Sequence, residues 1–212
     1  PSFETHYPKS SVIPVAEGGD FYEEGDWVLC VSGNESRNLV GCALSNGEIQ
    51  LYDRNTLRVV HTLSGQAADH SQSHILTELT FETFDANLLA ATSTDGSLKL
   101  FDIRQHDFVD ADGRRNGPAT ETKLPRMEEE ALCLSMGFEG KIAAVGSNKG
   151  KIHFFDIRQM KQPLGMYGES HTDDVTSLRF QTSNGATGSI AAGIQSTTPL
   201  LLSGSEDGLA CV

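Results

Sequence analysis

The chain has 212 residues, of which 38% are hydrophobic, and a formal net charge of −13 at pH 7. That length suits one large domain or two small ones. The acidic balance and the lack of a basic stripe argue against a nucleic acid partner, because phosphate contacts need clustered lysine and arginine. No apolar run approaches the roughly 20 residues of a membrane-spanning helix, and the start of the chain lacks a signal-peptide pattern. We therefore expect no membrane partner and a cytoplasmic or nuclear location.

One seven-residue pattern recurs along the chain: Gly, polar, aliphatic, polar, apolar, aromatic, Asp. Complete copies occupy 47–53, 96–102 and 150–156, and a fourth begins at Gly208. Asn46 and Asp95 precede the first two glycines, and Asn-Gly and Asp-Gly predict type I′ hairpin turns, in which both central residues have positive φ. The pattern therefore predicts a strand after each turn.

Further short strands are predicted around each copy of the pattern. Residues 1–25 come first and are interpreted as an N-terminal extension or a closing strand. In chain order the predicted strands are 27–32, 39–44 and 58–63 around the first copy; 75–81 and 88–94 before the second; 131–137, 142–147 and 164–167 around the third; and 175–180 and 199–205 before the fourth. The polar stretch 105–130 and the Ser/Thr/Gly-rich stretch 182–198 are predicted surface loops. Four antiparallel strands per unit predict an all-β fold made of propeller blades.

The predicted strands divide the chain into about four blades. The expected bounds are 26–65, 74–130 with a long polar insertion at 105–130, 131–168, and an incomplete blade at 171–212 that is truncated in its third strand. A seven-blade ring at this spacing needs roughly 350 residues, so we expect about half of such a ring. Because each blade packs against its neighbours, we expect the remainder from another segment, another chain or a second copy.

These motifs carry a resemblance to a known family. The chain resembles the WD-repeat β-propeller family through the copies spread from Trp27 to Val212. Its second half is similar to the WD repeat-containing protein 89 subfamily in the stretches 169–176 and 201–209. The resemblance implies four-stranded blades and a protein that binds other proteins.

The resemblance also implies a hydrogen-bonded tetrad of His, Ser, turn Asp and Trp inside each blade. In the second unit the nearest matches are His74, Ser93, Asp95 and Phe101, and in the fourth they are His171 and Asp207. The Trp position is taken by Tyr52 (before Asp53), Phe101 and Phe155. Because phenylalanine lacks the indole N–H donor, we expect at most a partial tetrad.

Two units end in the same tetrapeptide, Phe-Asp-Ile-Arg, which supplies Asp102 and Arg104 in one blade and Asp156 and Arg158 in the next. Aromatic-Asp-x-Arg resembles the box of WD-repeat substrate receptors of cullin-4 ubiquitin ligases, whose Arg docks on the ligase adaptor. Arginine suits such a role because its planar fork makes bidentate bonds. The alternative is that each Arg pairs only with a local carboxylate.

No motif predicts a catalytic residue, a metal site or a cofactor. The glycine-rich stretch 146–151 has the wrong spacing for a phosphate loop and lies in a hairpin. The loop around Gly113 lacks oxygen ligands at the positions that calcium would need. The acidic run 128–130 is interpreted as a solvated linker, and the four cysteines as free thiols.

The sequence therefore favours a non-catalytic protein-interaction scaffold, with a cullin-4 substrate receptor as the specific form. One alternative is an enzyme or small-molecule binder that uses the central channel. Another alternative is a reader of basic, histone-like peptides, which only the negative charge suggests.

Overall fold

The structure is a computed structural model that describes residues 26–65, 74–82, 85–104, 117–125, 128–168, 171–181 and 200–212. The predicted extension at 1–25 and the predicted loop at 182–198 lie outside these residues. Within them the chain forms four antiparallel sheets, and each sheet is a meander of consecutive strands. The described residues contain no helix that is long and apolar enough to cross a membrane.

These sheets confirm the predicted all-β fold class. The first is β1 (Val28–Asn34), β2 (Leu39–Leu44), β3 (Glu48–Asp53) and β4 (Val59–Ser64); the second is β5 (Leu76–Phe81), β6 (Leu88–Ser93), β7 (Ser97–Asp102) and β8 (Thr120–Lys123); the third is β9 (Ala131–Gly137), β10 (Ile142–Ser147), β11 (Ile152–Asp156) and β12 (Gly165–Tyr167); the fourth is β13 (Val175–Phe180), β14 (Leu201–Ser205) and β15 (Ala210–Cys211). We call these sheets blades 1 to 4.

One strand lies where a loop was predicted. Strand β8 (Thr120–Lys123) falls inside the stretch 105–130 and pairs antiparallel with β7, with Ser97 opposite Lys123. Its sequence, Thr-Glu-Thr-Lys, has no apolar alternation, because an outer strand needs only its backbone groups and one buried threonine (Thr122) to join the blade. Hydrophobic patterning therefore missed it.

The core lies between the blades and forms three apolar clusters, one at each junction. Phe101 belongs to the cluster between blades 1 and 2, and Phe155 to the cluster between blades 2 and 3. Both rings are at most 1% exposed. In blades 2 and 3 the aromatic residue of the repeat therefore contributes to the apolar core between sheets as well as to its own sheet.

The first strands of neighbouring blades are also joined by side-chain hydrogen bonds. The backbone N–H of Phe81 donates to Ser32 Oγ (3.1 Å), and the N–H of Phe180 donates to Ser135 Oγ (3.0 Å). At the middle junction the N–H of Leu134 donates to Glu78 Oε2 (2.9 Å). Burial raises the pKa of Glu78. Each junction therefore contains a backbone donor that finds its acceptor on the preceding blade.

The hairpin turns between the second and third strands differ from the predicted type. Only the glycine has positive φ, at Gly47 (81°) and Gly96 (75°), so the type I′ prediction is wrong. The N–H of Gly47 donates to the carbonyl of Leu44 at 3.0 Å, and Asn46 Oδ1 accepts from the N–H of Glu48 at 2.8 Å. This is the three-residue loop in which a left-handed glycine follows an ordinary turn, and the Asn or Asp caps it through its side chain.

Two of these turn glycines also touch the next blade. A Cβ at Gly96 would lie 2.2 Å from the carbonyl oxygen of Glu129, and a Cβ at Gly150 would lie 2.4 Å from that of His171. Both distances are far below van der Waals contact, so only glycine fits. The turn of one blade therefore rests on the backbone of the residue that enters the next blade.

Substitution of Gly150 by alanine should destabilise the fold more than the same change at Gly208. Both glycines have left-handed φ, at 68° and 80°, which costs alanine roughly 1–2 kcal/mol at either site. Nothing lies within 4 Å of a Cβ at Gly208, so Gly208→Ala is the matched control. The clash with His171 should add roughly 1–3 kcal/mol to the cost of Gly150→Ala. Urea unfolding monitored by circular dichroism measures both, and equal losses would contradict the inter-blade contact.

Candidate functional site

The four residues predicted for partner docking form two closely similar ion pairs. Arg104 donates from Nε to Asp102 Oδ1 (2.8 Å) and from Nη2 to Oδ2 (2.6 Å). Arg158 donates in the same way to Asp156, at 3.0 and 2.9 Å. The Arg side chains are 59% and 66% exposed, whereas both Asp side chains are 16% exposed. The structure therefore brings the members of each predicted pair together at the surface.

The local backbone explains why the Arg points outward. The third strand ends at Asp102, and the next residue, Ile103, is 4% exposed and packs into the cluster between blades 1 and 2. The N–H of Ile103 donates to the carbonyl of Asn87, in the turn between β5 and β6 (2.8 Å). Because the isoleucine side chain is buried, the side chain of the following residue, Arg104, lies on the solvent-exposed side. Ile157, which packs against the next cluster, precedes Arg158 in the same way.

Each ion pair is held in one geometry and leaves donors unused. A guanidinium carries five N–H donors, and the aspartate accepts from only two nitrogens of the fork. The hydrogen bond and the charge of Asp102 raise the pKa of Arg104, and the hydrogen bonds from Arg158 lower the pKa of Asp156. Both groups therefore stay ionised around neutral pH, and the outer edge of each guanidinium points to solvent.

Blade 1 has no such pair. Asp53 Oδ1 accepts from the backbone N–H of Thr56 (2.8 Å) and from that of Asn55 (3.0 Å). The hydrogen bond from the Thr56 N–H is the main reason that the pKa of Asp53 lies below its usual value. Arg54 comes one place too early in the repeat and is absent from these bonds. The two complete boxes are therefore confined to blades 2 and 3 within the described residues.

A second set of predicted residues meets inside blade 4. His171 Nε2 lies 2.8 Å from Ser203 Oγ, and His171 Nδ1 lies 3.2 Å from Asp207 Oδ2. The backbone N–H of Thr172 also donates to Asp207 (2.9 Å) and is the largest cause of the lowered pKa of that carboxyl. The structure thus brings His171 and Asp207 together, with a serine that the sequence analysis had not singled out. We call such a buried group a polar centre.

The polar centre of blade 3 uses different residues. Glu129 Oε1 accepts from Ser147 Oγ (2.7 Å) and lies 2.8 Å from His153 Nε2. All three residues are at most 3% exposed, so the interpretation of 128–130 as a solvated linker is wrong for Glu129. Burial alone would raise the pKa of Glu129, but the hydrogen bonds from His153 and Ser147 outweigh it and lower the pKa.

Blade 2 has a third version of the polar centre. Asp95 Oδ1 accepts from Ser97 Oγ and from the N–H of Ser97 (the latter 3.0 Å), and Lys99 Nζ lies 3.8 Å from Asp95 Oδ2. The 2%-exposed Lys99 also donates to the carbonyl of Gly65 in blade 1 (2.6 Å). His74 takes no part in these bonds. Burial alone would raise the pKa of Asp95, but the hydrogen bonds from Ser97, the charge of Lys99 and the hydroxyl of the fully buried Ser93 together lower it.

In blades 1 to 3 the residue two places before the repeat aromatic supplies a polar group. In blade 1 Tyr52 donates its hydroxyl to Gln50 Oε1 (2.6 Å). The corresponding residues are Lys99 in blade 2 and His153 in blade 3. The signal was present in the sequence as the second polar position of the repeat. It was missed because a polar residue at that position of an alternating strand normally predicts solvent exposure.

Other candidate chemistry is not supported by the geometry of the described residues. They contain no group of three or more metal-ligating side chains. Burial raises the pKa of Cys30 and of Cys133 to about 12, so neither thiol is an activated nucleophile. The amide of Asn34, in the Asn-Glu-Ser sequon, donates to the carbonyl of Ala86 (2.7 Å) and is 6% exposed.

Blades 1 to 3 are four-stranded meanders, each with a turn glycine and a terminal aromatic-Asp pair, and blade 4 has three strands and a turn glycine. This is the architecture of WD-repeat β-propeller blades. No family model matches the chain, but its relatives agree with the fold. An uncharacterized WD repeat-containing protein of Saccharomyces cerevisiae is 27% identical over 195 residues, which are 92% of this chain and 43% of that protein. Histone acetyltransferase type B subunit 2 of Candida glabrata is 25% identical over 73% of this chain and 31% of its own length. The WD repeat-containing protein 89 homolog of Dictyostelium discoideum is 24% identical over 68% and 33%.

The fold and these relatives together support the WD-repeat family for this chain. The chain spans less than half the length of each of these three relatives.

Replacement of Glu129 by glutamine should destabilise the chain by roughly 1–3 kcal/mol at neutral pH, because charge-assisted bonds to buried partners are lost. The lowered pKa of Glu129 means that its contribution is present above its usual value of 4.5 and is lost as the pH falls through the folded-state pKa. The stability difference between the wild type and Glu129→Gln should therefore shrink in acid. The exposed neighbour gives the control Glu128→Gln, which should change stability by less than about 0.5 kcal/mol. Urea unfolding at several pH values would contradict the assignment if the difference did not change with pH.

Proposed function

We propose that the chain is a non-catalytic protein-interaction scaffold and that the Asp102–Arg104 and Asp156–Arg158 pairs dock a partner protein. The observation that carries this proposal is the repetition of one geometry: the same bidentate pair, at the same strand end, in two adjacent blades. A fixed, exposed guanidinium with unused donors binds carboxylates and carbonyls with little loss of conformational entropy. Arginine is also enriched among the residues that dominate binding energy at interfaces.

The specific partner in this proposal is the adaptor protein of a cullin-4 ubiquitin ligase, and the chain would act as a substrate receptor. The support is the aromatic-Asp-x-Arg sequence together with the outward position of both Arg side chains. The bidentate pairing also fits the alternative, in which each pair merely stabilises its own turn. An exposed ion pair contributes little to stability, so loss of the Arg should leave the fold intact. We place this function in the cytoplasm or nucleus.

Removal of both Arg side chains should abolish adaptor binding without unfolding the protein. In cells that express the tagged full-length protein, Arg104→Ala/Arg158→Ala should recover at least about tenfold less adaptor than the wild type, which corresponds to the loss of roughly 1.4 kcal/mol or more. Arg54→Ala, on the blade without a pair, is the matched control and should recover as much as the wild type. Equal recovery by the double variant would rule out the two boxes as docking residues.

Further blades are proposed to cover the outer faces of blades 1 and 4. Trp27 and Val31 are 75% and 63% exposed on blade 1, and Leu202 and Leu209 are 48% and 57% exposed on blade 4. Apolar side chains at these junctions would remove several hundred Å² from water if a neighbouring blade packed there. The neighbour could come from another segment, another chain or a second copy.

The isolated chain should therefore associate with itself or precipitate, because two apolar faces are open to water. Size-exclusion chromatography with light scattering on the 212-residue chain measures the mass directly. Trp27→Asp/Leu209→Asp should shift the distribution toward the monomer, since charge opposes packing at both faces. A stable monomer of the unmodified chain would contradict the need for further blades.

Recognition of a basic peptide is a second candidate function. Asp173 and Glu206 are exposed at neighbouring positions of blade 4, where the N–H of Glu206 donates to the carbonyl of Asp174 (3.0 Å). One of the relatives is named histone acetyltransferase type B subunit 2. Capture of histone-tail peptides that weakens with added salt and with Asp173→Asn/Glu206→Gln would support this function, whereas capture unchanged by either would exclude it.

A further inference from the structure

The outermost strand of blade 3 differs from the outermost strand of blade 2. Among the described strands, β12 (Gly165–Tyr167) pairs only with β11; it has no charged residue, whereas β8 contains Glu121 and Lys123. Charged side chains on an edge strand discourage pairing with another chain. The edge of blade 3 lacks that protection over the three residues of β12.

Large apolar side chains surround this edge. Leu164 is 63% exposed, Met166 is 48% exposed and Tyr167 is 62% exposed. Single exposed apolar residues are ordinary on a protein surface, but three within four consecutive residues form a patch of the kind that marks interaction sites.

A cavity with one cationic side chain opens at the end of the strand. It has a volume of about 450 Å³ and is lined by Lys151, Met166, Tyr167 and Gly168. That volume accommodates one or two side chains of a bound peptide. Lys151 is half-buried; its charge helps to lower the pKa of Glu129, but it makes no salt bridge within 4.0 Å with any other described residue.

We propose that β12 and this cavity bind an extended segment of a partner protein, which adds to blade 3 as a further strand. The segment places an apolar side chain against Met166 and Tyr167 and a carboxylate on Lys151. The backbone groups of the open edge supply affinity, and the cavity and the lysine supply selectivity. This surface is separate from the Asp–Arg pairs, so the proposal does not depend on adaptor docking.

The occupant follows from the chemistry of the edge. Backbone donors and acceptors in a row need an extended peptide, since no lipid or small molecule presents the complementary row. The half-buried cation needs an acidic residue, because a basic partner residue would leave two like charges close together at a partly desolvated site. The occupant is therefore an acidic, apolar, extended segment.

The test uses a fluorescein-labelled peptide of alternating valine and threonine with a central phenylalanine and an aspartate at each end. Fluorescence anisotropy with the full-length protein should show saturable binding below about 1 mM. Lys151→Glu and Tyr167→Ser should each weaken it at least about tenfold. Val60→Lys, at an exposed position of the outermost strand of blade 1, is the matched control and should bind as the wild type does. No saturable binding, or equal binding by Lys151→Glu, would overturn the proposal.

Two further peptides separate strand addition and charge pairing from nonspecific apolar contact. A peptide with lysine in place of aspartate should fail to bind the wild type and should bind the Lys151→Glu variant. In an extended peptide, alternate residues direct their N–H groups to the same edge of the peptide. The peptide methylated along the edge that faces away from β12 should bind, and the peptide methylated along the edge that pairs with β12 should not. Binding by both methylated forms would exclude addition to the sheet.

Discussion

A turn glycine of blade 2 and a turn glycine of blade 3 each lie against a backbone carbonyl at the entry of the next blade. Gly96 meets the carbonyl of Glu129, and Gly150 meets that of His171. The side chains of these same two residues then enter the following blade and anchor its polar centre. In both cases one residue contacts the preceding blade through its backbone carbonyl and forms hydrogen bonds within its own blade through its side chain. The packing of blade 2 on blade 3 and of blade 3 on blade 4, and the polar centres of blades 3 and 4, therefore depend on the same two positions, which fits the nearest-neighbour behaviour of repeat proteins.

The residues of the polar centres differ between blades 2 and 3, but in both blades a buried carboxylate interacts with a polar side chain. Phe101 and Phe155 bring no hydrogen-bond donor to the aromatic position, yet a buried carboxylate in each of these blades still needs a partner. The partner comes from two residues earlier on the same strand, as Lys99 or as His153. In blade 4 a histidine, His171, precedes the first strand and the acid lies in the hairpin turn. In blade 3 the acid, Glu129, precedes the first strand and the histidine lies on the third strand. What persists in blades 2 and 3 is a buried carboxylate with a polar partner on the third strand, and the identity of that partner varies.

The sequence predicted most of the strands because each is defined by a local alternation and a glycine turn, both of which lie within ten residues. It also predicted that Asp102 and Arg104 would be close, since they are two residues apart. Long-range relations were not accessible in this way. Glu129 bonds to residues 18 and 24 positions away, and its neighbours Glu128 and Glu130 made it look like part of a solvated run. The turn type was predicted wrongly because the loop has three residues rather than two. A three-residue loop needs a positive φ only at its glycine, whereas a type I′ turn needs it at both central residues. The outer strand β8 was missed because its residues are polar.

The neutrality of each Asp–Arg pair affects how a partner would find it. Because the two charges are 2.6 to 2.9 Å apart at their closest atoms, their fields largely cancel beyond a few ångströms, and the overall negative charge of the chain dominates at longer range. Such a surface offers little electrostatic attraction to an approaching protein. Recognition would then depend on the direction in which the two guanidinium planes point and on the spacing that the blades impose. Differences in affinity between partners would therefore appear in the dissociation rate rather than in the association rate.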